Sequence, residues 1–175
     1  MAPRPNDFEN PADAERAARD AAERETPGIK TPPPIYFVAT VLVAEVVQGV
    51  WSPLSFGLGD AGVAAGIAVA ILGVILVVLA LREFWRAKTS VDVRRRSEAL
   101  VQSGPFAYSR NPIYVAAALL QAGAGIGFDR PWIVIAVFAA LLLIRYRVIA
   151  LEEPYLESRF GDDFLAYKAR VRRWI

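Results

Sequence analysis

The sequence predicts an all-α integral membrane protein with about four transmembrane helices in two hairpins, followed by amphipathic cytoplasmic helices at the C-terminus. Three observations support this fold class. The 175 residues are 55% apolar with a mean hydropathy of +0.33, which is more apolar than an ordinary soluble domain. Residues 61–81 carry no charge and are long enough to cross a hydrocarbon layer of about 30 Å. Two later apolar segments are separated only by Asp129 and Arg130, which predicts a tight helical hairpin.

The apolar segments divide the chain into a polar leader and one membrane domain, residues 35–175. Residues 1–34 are expected to form a cytoplasmic leader that is partly disordered or contains a short helix over about 12–24, with the three prolines at 32–34 as a stiff spacer. The predicted spans cover about residues 35–51, 61–82, 112–128 and 131–151.

The first span contains an ionisable residue, Glu45. A charge inside a span is costly and usually faces a partner, a cavity or a substrate path. We expect a structural role for Glu45, paired with Gln48 or Gln121, with the substrate path as the alternative.

Basic residues set the expected orientation. They concentrate in the loop between the second and third spans and in the tail after Ile144, and both regions are expected to face the cytoplasm. An even number of spans then places both termini there, in a multi-pass protein of a bacterial inner membrane. Arg94–Arg96 in this loop act as an anchor on anionic lipid or, alternatively, as a gate over an acidic ligand. The loop carries Arg82, Arg86, Lys88, Arg94, Arg95, Arg96 and Arg110 against Glu83, Asp92 and Glu98.

The chain contains no cysteine and no histidine. Disulfides, thiolate nucleophiles, imidazole bases and the commonest zinc sites are therefore excluded. Any acid or base must be Glu, Asp, Tyr or Lys, and we expect neither a metal nor a nucleic acid as partner.

Residues 103–114 read SGPFAYSRNPIY, where the charged loop enters the third span. Gly104 predicts a turn, and Asn111 followed by Pro112 predicts a helix start with Asn as N-cap. Such a helix start offers unpaired N–H groups and a positive dipole end to an anionic group. Arg110 and the tyrosines at 108 and 114 lie beside this start and are further binding candidates: Tyr108, Arg110 and Tyr114.

The last segment leaves the membrane and becomes amphipathic. Pro154 predicts a fresh helix after Glu152 and Glu153, giving C-terminal helices over 153–160 and 163–173. Because the hairpin turn at Asp129 is tight, the start of the third span should meet the end of the fourth. The motif around Asn111 is therefore expected to face Glu152 and Glu153.

The motif at 103–114 resembles the loop-and-helix signature of the isoprenylcysteine carboxyl methyltransferase family. The segment EEPYLESRFGDDFLAYKARVRR, residues 152–173, resembles the family's C-terminal signature. Phospholipid methyltransferases share a looser version, and short chains of this kind look like the bacterial members. The resemblance implies a membrane methyltransferase that uses S-adenosylmethionine in a cytoplasm-facing pocket. It also implies a lipophilic or lipidated substrate taken from the bilayer.

The resemblance assigns cofactor contacts by position. The family often has His at position 111, Tyr at 106 and Gly at 116, where this chain has Asn111, Phe106 and Ala116. Asparagine hydrogen-bonds but does not titrate, so a binding role is favoured there over proton transfer. The implied contacts are Leu100, Val101, Phe106, Asn111, Pro112, Ile113, Tyr114 and Glu152.

Methyl transfer needs mainly alignment and exclusion of water. A carboxylate acceptor is ionised at pH 7 and needs only a cation to hold it, for which Arg147 and Arg159 are candidates, with membrane anchoring or surface exposure as the alternative. An amine or phenol acceptor needs a base, and Glu153 is the first candidate.

Two other functions stay open at this point. A membrane sterol or enone reductase shares a related architecture, although no nicotinamide-binding residues are recognisable. A membrane scaffold or lipid-binding protein would keep the pocket without turnover.

Overall fold

The computed structural model describes residues 26–51 and 53–175, which form helices and no strand, as predicted. A π-helical turn, Arg145–Ile149, joins the fourth and fifth helices without a break. The predicted leader helix over about 12–24 lies outside the described residues. In chain order the helices are α1 Pro34–Val50, α2 Gly59–Arg86, a 3₁₀ turn Gly104–Ala107, α3 Pro112–Gly127, α4 Pro131–Ile144, α5 Ala150–Phe160 and α6 Asp162–Arg170.

Two helices are long and apolar enough to cross a membrane: α2, and the continuous helix Pro131–Phe160. Their most apolar stretches are mostly exposed, with only 17% and 28% buried, so these side chains need an apolar surrounding. The shorter apolar helices α1 and α3 have 17 and 16 residues, or roughly 24–26 Å at 1.5 Å per residue. The protein is therefore helical with two clear membrane-spanning candidates.

The helices pair differently from the predicted two hairpins. α3 and α4 do form a packed hairpin, but the main partner of α1 is α4 and that of α2 is α3. Within the described residues, α1 and α2 make at most marginal contact with each other. The connection at 51–58 is long enough to let each helix pack on the second hairpin instead.

The α2–α3 interface depends on glycine. A Cβ at Gly66 would lie 2.4 Å from the backbone N of Gly127 and 2.6 Å from the carbonyl O of Gly123. A Cβ at Gly123 would lie 2.7 Å from the backbone N of Ala70. The two backbones touch directly, as small residues allow between helices in membranes.

The turn between α3 and α4 is tied to the α1–α2 connection. Asp129 has φ +56°, and its carboxylate accepts hydrogen bonds from Phe56 N at 2.6 Å and from Ser55 Oγ at 2.5 Å. The Ser55 hydroxyl lowers the pKa of Asp129, with the Phe56 N–H adding to the effect. This end of the molecule is therefore cross-linked by a single carboxylate.

The predicted partners of Glu45 are wrong. Its carboxylate pairs with Arg130 Nε at 3.5 Å, whereas Gln48 Nε2 donates to Leu54 O and Gln121 Nε2 donates to Ile133 O. Arg130 follows the tight turn, so α4 packing on α1 brings it to Glu45. Both side chains are 44% exposed, and Glu45 lines neither of the cavities described below.

The C-terminal helices differ from the predicted 153–160 and 163–173. α5 begins at Ala150 in continuity with α4, and Pro154 lies inside it. Because Pro154 is exposed, the carbonyl that loses its N–H partner is close to solvent or headgroups. α6 ends at Arg170, and Val171 is extended (φ −113°, ψ 130°), because the chain turns there to pack on the loop before α3.

We predict that Gly66→Ala destabilises the protein by about 1–3 kcal/mol, because the added methyl forces the α2 and α3 backbones apart. Gly49→Ala in α1 is the matched control, since a Cβ there meets nothing within 4 Å. The measurement is the thermal unfolding midpoint of each purified variant in detergent, followed by circular dichroism. Equal midpoints for the two variants would contradict the observed interface.

Candidate active site

The loop before α3 is fixed by contacts at both ends. Gly104 has φ +58°, and a Cβ there would lie 2.9 Å from Glu83 Cγ. Next to it, Ser103 Oγ donates to Glu83 Oε2 at 2.5 Å. Phe106 is buried, and its carbonyl accepts a hydrogen bond from the Tyr167 hydroxyl at 2.7 Å. Burial raises the pKa of Tyr167 to about 12, so its hydroxyl stays protonated as a donor.

α3 begins at Pro112 as predicted, but Asn111 does not cap it with its side chain. Its Nδ2 donates instead to the carbonyl of Arg173 at 2.9 Å. Pro112 has no N–H, and the N–H groups of Tyr114 and Val115 both donate to Asn111 O. Most donors of this helix start are thus in use, which weakens the predicted role of the helix start as an anion site.

The predicted meeting of the loop with the end of the fourth span is confirmed. Arg110 Nη2 lies 3.1 Å from Glu153 Oε1. Arg173 reaches the same carboxylate, with Nε donating to Oε1 at 2.9 Å and Nη2 donating to Oε2 at 2.7 Å. The Glu153 hydrogen bond raises the pKa of Arg173. Glu153 is therefore a carboxylate held between two guanidinium groups.

Three buried polar atoms near this cluster have no hydrogen-bond partner in the described part of the chain. They are Glu152 Oε2, the Tyr114 hydroxyl and Arg110 Nε; the Tyr114 hydroxyl and the Glu152 carboxylate lie close enough to interact with each other but do not form a hydrogen bond of good geometry. Buried polar atoms are normally paired in folded proteins, and unpaired ones need an explanation. An acceptor and two donors on residues that line one cavity have hydrogen-bonding capacity to offer a polar ligand.

The three residues with unpaired atoms line one cavity of about 760 Å³. Its polar end is built from the loop, the start of α3 and Glu152, and its apolar wall comes from α1 and from later turns of α3. Pro32–Pro34 and residues 91–94 lie along it where the basic loop passes. The cavity is lined by seven predicted binding residues, Phe106, Arg110, Asn111, Pro112, Ile113, Tyr114 and Glu152, and by unpredicted ones that include Phe37, Val38, Val41, Leu42, Ala117, Leu120 and Gln121.

An ion pair lies on the cavity wall next to the loop. Arg94 donates through Nε to Asp92 Oδ1 at 2.9 Å and through Nη2 to Oδ2 at 2.8 Å. These hydrogen bonds lower the pKa of Asp92 to about 2, so the carboxylate is ionised at neutral pH. Arg94 is thus the member of the Arg94–Arg96 run that reaches the cavity.

A sequence profile described as phospholipid methyltransferase matches residues 61–163, more than half of the chain. The chain belongs to the phospholipid methyltransferase family. It is also 44% identical over 50 residues to an uncharacterised protein of Haemophilus influenzae, a stretch that covers 29% of this chain and 76% of that one. The family match runs from α2 into α6 and includes every cavity residue contributed by the loop, α3 and α5.

Three predicted cofactor-binding residues lie away from the cavity of this phospholipid methyltransferase family member: Leu100 and Val101, which the resemblance assigned, and Tyr108, which was a candidate from its place beside the helix start. Leu100 packs against a cluster around Phe164. Val101 packs with Ala80 and Phe106, and Tyr108 is 79% exposed. Leu100 and Val101 support the loop from behind, and Tyr108 points outward.

The two predicted substrate-holding cations are also elsewhere. Arg147 is exposed in the π-helical turn, and Arg159 is exposed with its Nε donating to Ser97 O at 3.3 Å. Neither lines either cavity. Glu153, the first candidate base, lies in a second cavity of about 30 Å³ and is paired twice, so Glu152 is the better placed carboxylate.

Sequence reasoning missed the wall formed by Phe37, Val41 and Leu42 of α1. These residues belong to a uniformly apolar helix, and their pattern does not distinguish lipid-facing from cavity-facing positions. The three prolines at 32–34 were the available signal, since they mark the start of α1 and line the cavity together with residues 91–94 of the basic loop.

Proposed function

We propose that this protein transfers a methyl group from S-adenosylmethionine to a lipophilic acceptor that partitions into the membrane. The observation that carries the proposal is the buried Glu152 carboxylate, which has an unpaired oxygen and lines a large cavity in a member of a methyltransferase family. The polar end of this cavity suits a charged cofactor. Its apolar wall suits the hydrocarbon part of an acceptor.

The residues of the polar end fit a zwitterionic cofactor. Glu152 Oε2 is an acceptor for a cationic or N–H group, and Arg110 Nε and the Tyr114 hydroxyl are donors for an anionic group. When bound, S-adenosylmethionine supplies an electrophilic methyl group on a positively charged sulfur. The mostly apolar lining of the cavity limits the water around that group, which strengthens the electrostatic interactions there.

Glu152 has a second role when the acceptor is an amine or a phenol. Such a group must lose a proton on methylation, and Glu152 takes this role in place of the twice-paired Glu153. A carboxylate acceptor of the isoprenylcysteine kind needs no base but requires a cation. Arg94 lines the cavity and replaces the predicted Arg147 and Arg159 in this role, because Arg110 is assigned to the cofactor. Lipid headgroup and carboxylate are thus the two acceptor chemistries that the site accommodates.

We further propose that all four apolar helices span a bacterial inner membrane, with both termini and the polar end of the cavity on the cytoplasmic side. The basic loop between α2 and α3 supports this orientation by the positive-inside rule. Residues 91–94 of that loop line the cavity, so a water-soluble cofactor would enter from the cytoplasm and the acceptor from the bilayer.

We predict that Glu152→Gln weakens S-adenosylmethionine binding about 10- to 100-fold, because a hydrogen bond to a charged group contributes about 1.5–3 kcal/mol. The measurement is isothermal titration calorimetry on detergent-solubilised protein. Glu157→Gln is the control, because Glu157 pairs with Lys168 at the surface and lines neither cavity.

If Glu152→Gln binds S-adenosylmethionine with wild-type affinity, Glu152 does not contact the cofactor. NADPH binding by the wild-type protein, with no binding of S-adenosylmethionine, would overturn the methyltransferase proposal and favour a reductase.

We predict opposite accessibility for two single-cysteine variants, which the cysteine-free chain permits. Leu54→Cys in the α1–α2 connection should react with a membrane-impermeant maleimide on intact spheroplasts. Ser158→Cys in α5 should react only after lysis. Both positions are exposed, so the reverse pattern of labelling would contradict the proposed orientation.

A further inference from the structure

The last five residues, 171–175, form a segment that we call the C-terminal strap, and it lies against the loop before α3. Arg110 N–H donates to the carbonyl of Arg172 at 3.0 Å. Asn111 Nδ2 donates to the carbonyl of Arg173 at 2.9 Å, and Ser109 Oγ donates to the same carbonyl at 3.5 Å. The strap therefore pairs with three consecutive residues of the loop, one of which is Asn111.

The Arg173 side chain connects the strap to α5. Its guanidinium forms two hydrogen bonds with Glu153, at 2.9 and 2.7 Å, and Glu153 also pairs with Arg110. Arg173 lines neither cavity. It touches two residues that do line a cavity, holding Glu153 with its side chain and Asn111 with its backbone carbonyl.

The strap is anchored on both sides of Arg173. Val171 is 3% exposed and packs with Phe164 and Tyr167. Trp174 packs against the main apolar cluster, which includes Phe37 and Tyr114. Such anchoring identifies the strap as a fixed part of the fold rather than a flap. It lies beyond residues 61–163, the part matched by the family profile.

We infer that Arg173 is a positioning residue that fixes Asn111 and Glu153 relative to each other, and that the affinity of the cavity for its charged ligand depends on it. The dependence on a charged ligand rests on the proposed function. Arg173 holds Asn111 through its backbone carbonyl and Glu153 through its guanidinium, so this one residue links the loop before α3 to α5. Without it, Glu153 keeps only Arg110, and the Arg110 side chain is free to follow Glu153 away from the cavity.

The test compares Arg173→Ala and Arg173→Lys with the control Arg170→Ala, which removes the same charge from an exposed position at the end of α6. S-adenosylmethionine is titrated into each detergent-solubilised protein by calorimetry. We expect Arg173→Ala to bind about tenfold more weakly, Arg173→Lys to recover part of the loss, and the control to bind as wild type.

Two further measurements distinguish the proposed positioning role of Arg173 from a general contribution to the stability of the protein. Hydrogen–deuterium exchange of residues 103–111 should speed up in Arg173→Ala and not in Arg170→Ala, while the α2–α3 peptides exchange as in wild type. The double variant Arg173→Ala/Glu153→Gln should bind no more weakly than the poorer single variant, because the two side chains act through one contact.

The results that would refute the positioning role of Arg173 differ from those that would refute the proposed function. Wild-type affinity in Arg173→Ala, or tighter binding, overturns the inference, and tighter binding would mean that the strap occludes the site. Equal losses in Arg173→Ala and Arg170→Ala also overturn it, since only net charge would matter. If the wild-type protein binds no S-adenosylmethionine, the proposed function fails. The exchange of residues 103–111 then decides the positioning role alone, and unchanged exchange in Arg173→Ala refutes it.

Discussion

The Glu153 carboxylate, held between Arg110 and Arg173, is the interaction on which the site depends. It connects the loop before α3, the helix that follows the π turn, and the C-terminal strap. The three side chains are only 10–29% exposed, so removing Glu153 takes the shared carboxylate from two largely buried guanidinium groups, which is destabilising. Both arginines pair with Glu153 and neither pairs with the neighbouring Glu152. Glu152 Oε2 therefore lacks a hydrogen bond of its own and is the carboxylate oxygen available to a ligand in the cavity.

The helix packing explains how a short chain builds a large cavity. Glycine contacts bring α2 and α3 into backbone contact, and the Asp129 carboxylate ties the far ends of the bundle together. α1 packs mainly on α4 and only lightly on α3. The space left between α1 and α3 is the apolar part of the cavity, and the ion-paired cluster around Glu153 lies at the polar end of the cavity.

The parts that followed from sequence are those governed by local rules. The Gly–Pro turn, the helix start at Pro112 and the tight turn at Asp129 fix their own backbone, and together they place Asn111 opposite Glu152. The α1 wall and the pairing of α1 with α4 could not be predicted, because a uniformly apolar helix does not specify its partner. The contact between Asn111 and the Arg173 carbonyl could not be predicted either, because every residue has a backbone carbonyl and the sequence does not indicate which one accepts a hydrogen bond. Arg147 and Arg159 were wrongly predicted to hold the substrate. The π turn that carries Arg147 outward has no recognisable sequence pattern.

Transfer of a labelled methyl group is the decisive experiment for a methyltransferase activity. Membranes containing the protein, and matched membranes lacking it, are incubated with methyl-labelled S-adenosylmethionine and extracted for lipids, peptides and small acids. We expect protein-dependent label in a lipophilic fraction, released by mild alkali if the acceptor is a carboxylate and retained if it is an amine. No protein-dependent label in any fraction would refute the proposed activity and favour a membrane protein that keeps the cavity without turnover.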